Sequence, residues 1–185
     1  MRVLAIGCHP DDLEIACSGT LRKYVEQGAD VYMCHVANGD QGHVIIPPEE
    51  LGGIREKEAE NAGKLIGAKE VFNLNVSDMQ VNRHDQAQID AVADVVRYCR
   101  PDVVITHNTE DYMQDHVETS YLATNGCFAA GLPHRSFNHP AYKSFIPTFF
   151  MDSLAGVNFD PALYVDITSQ IETKLQALAM HESQI

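Results

Sequence analysis

Four short apolar segments, each suited to a buried β-strand, recur along the chain with helical patterns between them. They span Val3 to Gly7, Val31 to Val36, Val71 to Leu74 and Val103 to Thr106. Continuous apolar runs of this length are typical of parallel strands covered on both faces. Strands that alternate with helices favour right-handed βαβ crossovers. We therefore predict a doubly wound α/β fold: a mostly parallel sheet with helices on both faces, in three α/β/α layers.

Apolar residues spaced three and four apart mark the helices between these strands. The first pattern stops at Gly28, the second at Gly67, and the third before Pro101, because proline disfavours helix at the preceding residue. A fourth helix is predicted after His116. The last is predicted from Thr168, as N-cap, with an apolar face of Ile171, Leu175 and Leu178.

The region from 137 to 161 has no clean period, and we expect an irregular excursion there rather than a second domain. Two later strands are candidates, at Phe145 to Phe150 and Leu163 to Ile167. The whole chain, 1–185, is accordingly predicted to be a single domain.

Composition limits the partners of the protein. Thirteen Lys and Arg against 26 Asp and Glu give a net charge of −13, which disfavours binding to nucleic acid or to an anionic membrane. The five cysteines include no C-x-x-C pair, and the N-terminus lacks a secretory or membrane-spanning segment. We expect a cytoplasmic protein with a small-molecule substrate, no nucleic-acid or membrane partner, and self-association left open.

Two groups of polar residues follow strands one and four. The first strand leads into His9-Pro10-Asp11-Asp12-Leu13-Glu14, and the fourth leads into a segment that ends in Asp115-His116. In the common strand order 3-2-1-4-5 these strands are neighbours at the point where strand order reverses, where open α/β sheets bind ligands. The two groups are therefore predicted to face each other across one crevice.

The residue types in that crevice predict a catalytic metal site. His9, Asp12 and His116 would bind one ion, most simply Zn²⁺, and leave a position open for water. Asp11 is then free to act as general base. Two His and one carboxylate also suit Fe²⁺ or another divalent metal. The alternative interpretation is that Pro10, Asp11 and Asp12 only begin a helix, since proline and acids are common there.

The same residues carry a resemblance to a known family. His9-Pro10-Asp11-Asp12-x-Glu14, Asn38-Gly39-Asp40-x-Gly42, Arg55-x-x-Glu58, Arg100-Pro101-Asp102 and Asp115-His116 resemble motifs of the LmbE-like, PIG-L family of zinc-dependent N-acetylglucosamine deacetylases. The likeness covers residues 1 to 122 and returns at 181–184. It implies a Rossmann-like fold, zinc on the three residues named above, and removal of an acyl group from an N-acetylated amino sugar, such as an amino-sugar conjugate, or a related amide.

Further residues have expected roles, which come from the resemblance for Arg55 and from sequence position for the others. Arg55 matches a family arginine near the substrate, although it is equally typical of an exposed partner for Glu58 or Glu60. Asn38 and Asp40 are expected in a substrate-binding loop over the crevice, or in a simple turn. Asp115 is expected to fix the His116 ring from behind, or to cap a helix, and Glu14 to support the ligands.

The chain departs from the family at Met113, where relatives usually have histidine. Methionine cannot stabilise an oxyanion or protonate a leaving amine, and the replacements considered are His107, His35, His43 and Tyr112. The chain also stops soon after His181: either a C-terminal part is absent from it, or this member is short.

Met113 keeps a rival function open. A metal-dependent hydratase or lyase acting on an unsaturated carboxylic acid needs a metal and a base but has no amine to protonate. A catalytically weak sugar-binding member is the third alternative, against which the intact Asp11 argues, because a binder needs no base.

Overall fold

Five parallel strands form one central sheet within residues 1–143 and 145–185, the part of the chain that this computed structural model describes. The strands are β1 (Arg2–Gly7), β2 (Asp30–Ala37), β3 (Glu70–Val76), β4 (Val103–His107) and β5 (Thr148–Met151). Their order is β3-β2-β1-β4-β5. The predicted fold class and the neighbouring positions of β1 and β4 are confirmed.

The helices cover both faces of the sheet. They are α1 (Asp12–Ala16), α2 (Ser18–Glu26), α3 (Pro48–Ile66), α4 (Gln86–Cys99), α5 (Gln114–Ala130) and α6 (Ile171–Leu178). Helix α3 ends at Gly67, whose φ of 92° suits glycine, and α4 begins at Asp85, whose side chain accepts two backbone N–H bonds. The stop at Gly67 agrees with the sequence prediction, whereas the cap at Asp85 was not predicted.

Alternating residues of β1 divide the core into two layers. Leu4 and Ile6 pack on the side of α4 and α5, whereas Val3 and Ala5 pack on the side of α2, α3 and α6. This alternation is the ordinary consequence of a strand's two-residue period. The sheet is therefore buried between two helical layers, as the continuous apolar runs predicted, and its carboxyl edge remains open.

The sequence predicted one helix between β1 and β2, but the structure has two, α1 and α2. The chain leaves helical geometry at Cys17, with φ −139° and ψ 3°. The carbonyls at the end of α1 find other donors there: the Ser18 hydroxyl donates to Glu14 O at 2.8 Å, and Lys174 Nζ donates to Glu14 O at 3.0 Å. These bonds compensate for the interrupted backbone pattern.

The last helix also differs from its prediction. A 3₁₀ turn at Thr168–Gln170 precedes α6, and the Thr168 hydroxyl donates to Asp166 rather than capping the helix. Ile171 and Leu175 of the predicted apolar face are exposed. The side that packs on α1, α2 and α3 instead carries Ala177 and the half-buried Lys174, because the carbonyls of α1 need a donor at that place.

The prediction of a strand at Leu163 to Ile167 is wrong, since that stretch has no strand geometry. The other candidate, at 145–150, overlaps β5, which begins at Thr148 and ends at Met151. All five cysteines are buried and free. No helix in the described part of the chain has the length and apolar character needed to cross a membrane.

Candidate metal centre and active site

His9 and Asp12 lie in a tight turn directly after β1. The His9 backbone N–H donates to Asp12 Oδ2 at 2.6 Å, and the Asp12 N–H donates to His9 O at 3.2 Å. His9 Nδ1 lies 3.3 Å from the same carboxylate oxygen. The turn therefore holds one imidazole and one carboxylate side by side at the edge of the sheet.

His116 reaches this pair from the first turn of α5. Its Nε2 lies 3.2 Å from Asp12 Oδ1, so the two oxygens of Asp12 face two different imidazoles. The His9 and His116 ring centroids are 5.3 Å apart. The structure thus brings together the three predicted ligands from the two strand ends, over a sequence separation of about 100 residues.

The imidazoles of His9 and His116 each have one nitrogen near Asp12 and a second carboxylate near the other nitrogen. Asp115 Oδ2 lies 3.4 Å from His9 Nε2, and Asp111 Oδ2 lies 3.2 Å from His116 Nδ1. Such carboxylates fix the tautomer and orientation of metal-binding histidines. The prediction that Asp115 holds His116 is therefore wrong in its partner, because the first turn of α5 directs Asp115 towards His9.

Neighbouring side chains decide which groups remain free to bind a metal. Two sets have all ligand atoms within 4.8 Å in the described chain: Cys8, His9 and Asp12, and Asp12, His107 and His116. The three predicted ligands are not themselves such a set. His107 Nε2 already accepts the Cys8 N–H at 2.9 Å, and burial raises the pKa of the Cys8 thiol to about 11.

When the His107 imidazole and the Cys8 thiol are excluded from the two sets, His9, Asp12 and His116 remain as possible ligands. His116 Nε2 is buried and makes no hydrogen bond within the described residues. An unpaired buried nitrogen facing a carboxylate is costly unless another group satisfies it. Two imidazoles and one carboxylate form a donor set that fits a divalent cation such as zinc.

The charges of this cluster oppose the effect of burial. Burial alone would raise the pKa of Asp12, but His107, His116 and His9 hold it well below its ordinary value. Burial lowers the pKa of His9, yet hydrogen bonds to Asp115 and Asp12 outweigh it and raise the pKa. Burial also lowers the pKa of His116, but the adjacent Asp12 carboxylate raises it above its ordinary value. Positive charge is therefore favoured at both imidazoles, where a bound cation would replace protons.

Asp11 lies in the same turn, between the predicted ligands His9 and Asp12, and its carboxylate contacts Arg55. Its φ of 121° is rare for a residue with a side chain, and such strain often accompanies functional sites. Burial raises the pKa of Asp11 to about 6, and the Arg55 charge, 3.1 Å from Asp11 Oδ1, limits the rise. A carboxyl with this pKa suits a general base near neutral pH.

Arg55 is buried, so it is not the exposed partner of Glu58 or Glu60 that the sequence left open. Its guanidinium donates to Gly39 O and Pro10 O as well as facing Asp11. Gly39 has a φ of 74°, and a Cβ there would lie 2.5 Å from Arg55 Nη1. The arginine therefore joins the β2 loop to the turn that carries Asp11.

A cavity of about 300 Å³ opens beside the cluster. Asp11, Arg55, Tyr112, Met113 and Gln184 are part of its lining, together with the three predicted ligands. Asn38 and Asp40 do not line it, which corrects their expected contact with substrate. Asn38 Oδ1 accepts the Asp40 N–H, and the Asp40 carboxylate accepts Ser77 Oγ–H and the Asp78 N–H, so both side chains hold loops together.

Met113 lies in the wall of this cavity. The four side chains that could take over the role of the family histidine differ in their contacts. His107 is stacked behind His116 at 4.2 Å between centroids, and His35 donates to His9 O. His43 Nδ1 accepts backbone N–H groups of its own loop. Of the four candidates only Tyr112, which is half exposed, lines the cavity.

The C-terminal residues reach the same region. Glu14 is fully buried, and its Oε2 lies 3.6 Å from His181 Nε2, so its carboxylate faces the C-terminal segment rather than the predicted metal ligands. Ser183 donates its backbone N–H and its hydroxyl to Glu58, and Gln184 lines the cavity. These contacts explain why the family-like residues at 181–184 belong with the first motif.

Sequence reasoning missed Asp78 and gave Asp111 no role. Asp78 accepts the N–H groups of Gly39 and Gln41 and lies 3.8 Å from His9 Nε2. It follows the end of β3, and the rule that polar residues after parallel strands meet at one edge could have found it. Nothing in the spacing of Asp111 indicated its contact with His116.

This fold, with imidazoles and carboxylates at the carboxyl edge of a parallel sheet, defines a class of α/β enzymes with a site at the switch point. The chain belongs to the PIG-L family: the family model, described as GlcNAc-PI de-N-acetylase, matches residues 4–127. The resemblance drawn from the motifs is confirmed.

Individual relatives agree with this membership. The chain is 29% identical over 192 residues to the diacetylchitobiose deacetylase of Thermococcus kodakarensis, covering 99% of this chain and 70% of that protein. The structure of N,N'-diacetylchitobiose deacetylase from Pyrococcus horikoshii, complexed with its inhibitor MPG, matches with a TM-score of 0.87 and 28% identity, covering 100% and 70% of the two chains. The predicted enzyme class, a deacetylase, is confirmed.

A third similar structure is GalB, the 4-carboxy-2-hydroxymuconate hydratase from Pseudomonas putida. Its TM-score is 0.88 at 21% identity, with coverage of 99% of this chain and 79% of that one. At this identity the likeness shows the shared fold alone.

Proposed function

We propose that this chain is a metal-dependent N-deacetylase that removes an acyl group from an N-acetylated amino sugar or a related amide. The single observation that carries the proposal is that His9, Asp12 and His116 lie together beside a further carboxyl group. This carboxyl, Asp11, is not one of the proposed metal ligands and contacts Arg55. His9, Asp12 and His116 would hold the ion, with zinc as the expected metal. A divalent ion bound there supplies Lewis acidity towards the acyl oxygen and a lowered pKa for water.

Asp11 supplies the base. Its carboxyl lies in the cavity wall, and Arg55 contacts one of its oxygens, while the other makes no hydrogen bond within the described residues. A pKa of about 6 leaves most of Asp11 unprotonated at neutral pH and still allows it to return the proton to the departing amine. This double use matters here, since Met113 offers no proton.

Tyr112 is the proposed donor towards the negative charge that develops on the acyl oxygen. Its ring lies 5.9 Å from the His116 ring between centroids, and it lines the cavity with the ligands. Hydroxyl donors perform this role in acyl transfer, and losing one typically costs about 10²–10³ in kcat.

Hydration of an unsaturated carboxylic acid finds less support from the cavity. Anionic substrates are commonly bound by Arg or Lys side chains, and Arg55 is the one such side chain among the described residues that line the cavity. Its guanidinium is already engaged with Asp11 and two carbonyls. With Asp11, Asp12 and Asp78 also in the wall, a neutral substrate such as an N-acetylated sugar is favoured.

The test is to load the protein with Zn²⁺, and in parallel with Fe²⁺, and to measure free amine from N-acetylglucosamine and diacetylchitobiose. Asp11→Asn should keep one metal per chain and lose at least about 100-fold in kcat, whereas His116→Ala should lose the metal. Glu60→Gln, an exposed change on α3, is the matched control and should change neither.

Activity of Asp11→Asn within about threefold of the parent would contradict the assigned base. Tyr112→Phe should have a lower kcat than the parent protein. Met113→His should raise kcat at least about tenfold, because it restores a hydrogen-bond donor. If Met113→His lowers turnover while the parent hydrates an unsaturated carboxylic acid, the hydratase assignment replaces this one.

A further inference from the structure

An apolar groove of about 350 Å³ lies along the edge of the sheet next to β5. Its wall includes Phe149 and Phe150 of β5 and, from the following irregular segment, Leu163 and Val165. Leu163 is 64% exposed and Phe149 47% exposed, although both are strongly apolar. Contiguous apolar surface that remains exposed on a soluble domain commonly marks a binding site.

The groove adjoins the active-site cavity through shared lining residues. A small cavity of about 30 Å³ lies between them, and it shares Asp12, Tyr112 and His116 with the active-site cavity. On its other side it shares Ala16 and Asp152 with the groove. The predicted ligands therefore lie between the polar cavity and the small cavity that adjoins the apolar groove.

The amide of an N-acyl sugar joins a polar sugar to an apolar acyl chain. The two spaces beside the predicted ligands differ in the same way. The polar cavity of about 300 Å³, which contains Arg55 and Gln184, suits the hydroxyl groups of a sugar. The groove carries one charged residue in its described lining, Asp152, at the end that adjoins the small cavity. An uncharged alkyl chain fits this surface, whereas an anionic group would meet only a carboxylate.

Building on the proposed deacetylase function, we propose that the groove binds the alkyl part of the N-acyl group, so that the enzyme accepts amino sugars with acyl chains longer than acetyl. The sugar occupies the polar cavity, the amide lies beside Asp12 and His116, and the chain passes Tyr112 towards Phe150 and Leu163. Self-association of two copies through this edge is less favoured because each chain carries a net charge of −13.

The experiment compares N-acetyl-, N-butanoyl-, N-hexanoyl- and N-octanoylglucosamine as substrates of the zinc-loaded protein. A fully buried methylene improves binding by about fourfold, and a chain half exposed in a groove retains part of this gain. We expect kcat/KM to rise at least about tenfold from acetyl to octanoyl. Calorimetric binding of N-octanoylglucosamine to metal-free protein, which does not turn over, gives a second readout and should exceed the binding of the acetyl compound.

Leu163→Asp should abolish this preference and leave hydrolysis of the acetyl compound unchanged. Leu175→Asp is the matched control, because Leu175 is also exposed but lies on α6 outside the groove. If Leu163→Asp fails to fold, Val165→Ser serves in its place.

The outcomes separate this inference from the function on which it rests. Hydrolysis of the acetyl compound without any effect of chain length, and equal calorimetric binding, would overturn the groove but not the deacetylase. Absence of all hydrolysis would overturn the deacetylase, while the calorimetric comparison would still decide the groove. A dimer in sedimentation that Leu163→Asp dissociates and Leu175→Asp does not would overturn the inference in favour of an interface.

Discussion

Arg55 controls how far burial can raise the pKa of Asp11, and replacing it should move the pH dependence of catalysis. A base must be unprotonated, so activity falls as the pH drops through its pKa, which burial sets at about 6. Arg55→Met removes the nearby positive charge. The pKa of Asp11 then rises further, and activity is lost at a higher pH than in the parent protein.

The size of this effect follows from the geometry of the pair. Opposite charges about 4 Å apart interact by about 4 kcal/mol at an effective dielectric constant of about 20. Since about 1.4 kcal/mol corresponds to one pH unit, the ceiling is about three pH units. The Asp11 side chain is 19% exposed, and Arg55 also donates to two carbonyls, so we expect an upward displacement of at least about one pH unit.

The assay is the acid limb of kcat/KM against pH, with parent and variants loaded with the same metal. Arg55→Lys is the control, because it keeps the charge and loses the forked hydrogen bonds to Gly39 O and Pro10 O. Its acid limb should stay within about half a pH unit of the parent even where kcat falls. An unmoved limb in Arg55→Met would refute the role of Arg55 in tuning Asp11.

Three further outcomes are expected. Asp111→Asn should weaken metal affinity by about 10–100-fold in competition with a chelator, because Asp111 orients His116; an unchanged affinity would exclude that role. Chelator treatment of the parent should abolish activity but preserve the far-UV dichroism, since both core layers are apolar and extensive and the ligands lie at the edge of the sheet; loss of the helical signal would show that the metal is needed for folding. Gly39→Ala should destabilise by about 1–3 kcal/mol in denaturant unfolding, owing to its φ of 74° and the adjacent Arg55, while Gly53→Ala, in an open helical position, should stabilise by about 0.5–1 kcal/mol; equal effects at the two sites would contradict this account.

The strands and the position of the site were predictable because they depend on patterns that are local in sequence. Buried parallel strands require continuous apolar runs, and the order of such strands places the ends of β1 and β4 together. His9, Asp12 and His116 could be named as neighbours for this reason alone.

The partners of each imidazole were not predictable in the same way. Which nitrogen faces Asp111 or Asp115 depends on where α5 begins and on the direction of its first turn, and a shift of one residue rotates a helix position by about 100°. The loops of Asn38 and Asp40 were misassigned because a polar side chain in a loop serves substrate and backbone equally well by sequence.

Helix α6 is attached to the rest of the fold through polar atoms as well as apolar ones. Lys174 reaches the carbonyl of Glu14, and His181, just beyond the helix, faces the Glu14 carboxylate. An apolar stripe tolerates small rotations of a helix about its axis, because one methyl group replaces another in the contact. A hydrogen bond does not, since a rotated helix would take Lys174 Nζ away from the carbonyl at the end of α1. The Lys174 bond therefore restricts the rotation of α6 more than an apolar contact would, and Gln184, which lies beyond this helix, lines the active-site cavity.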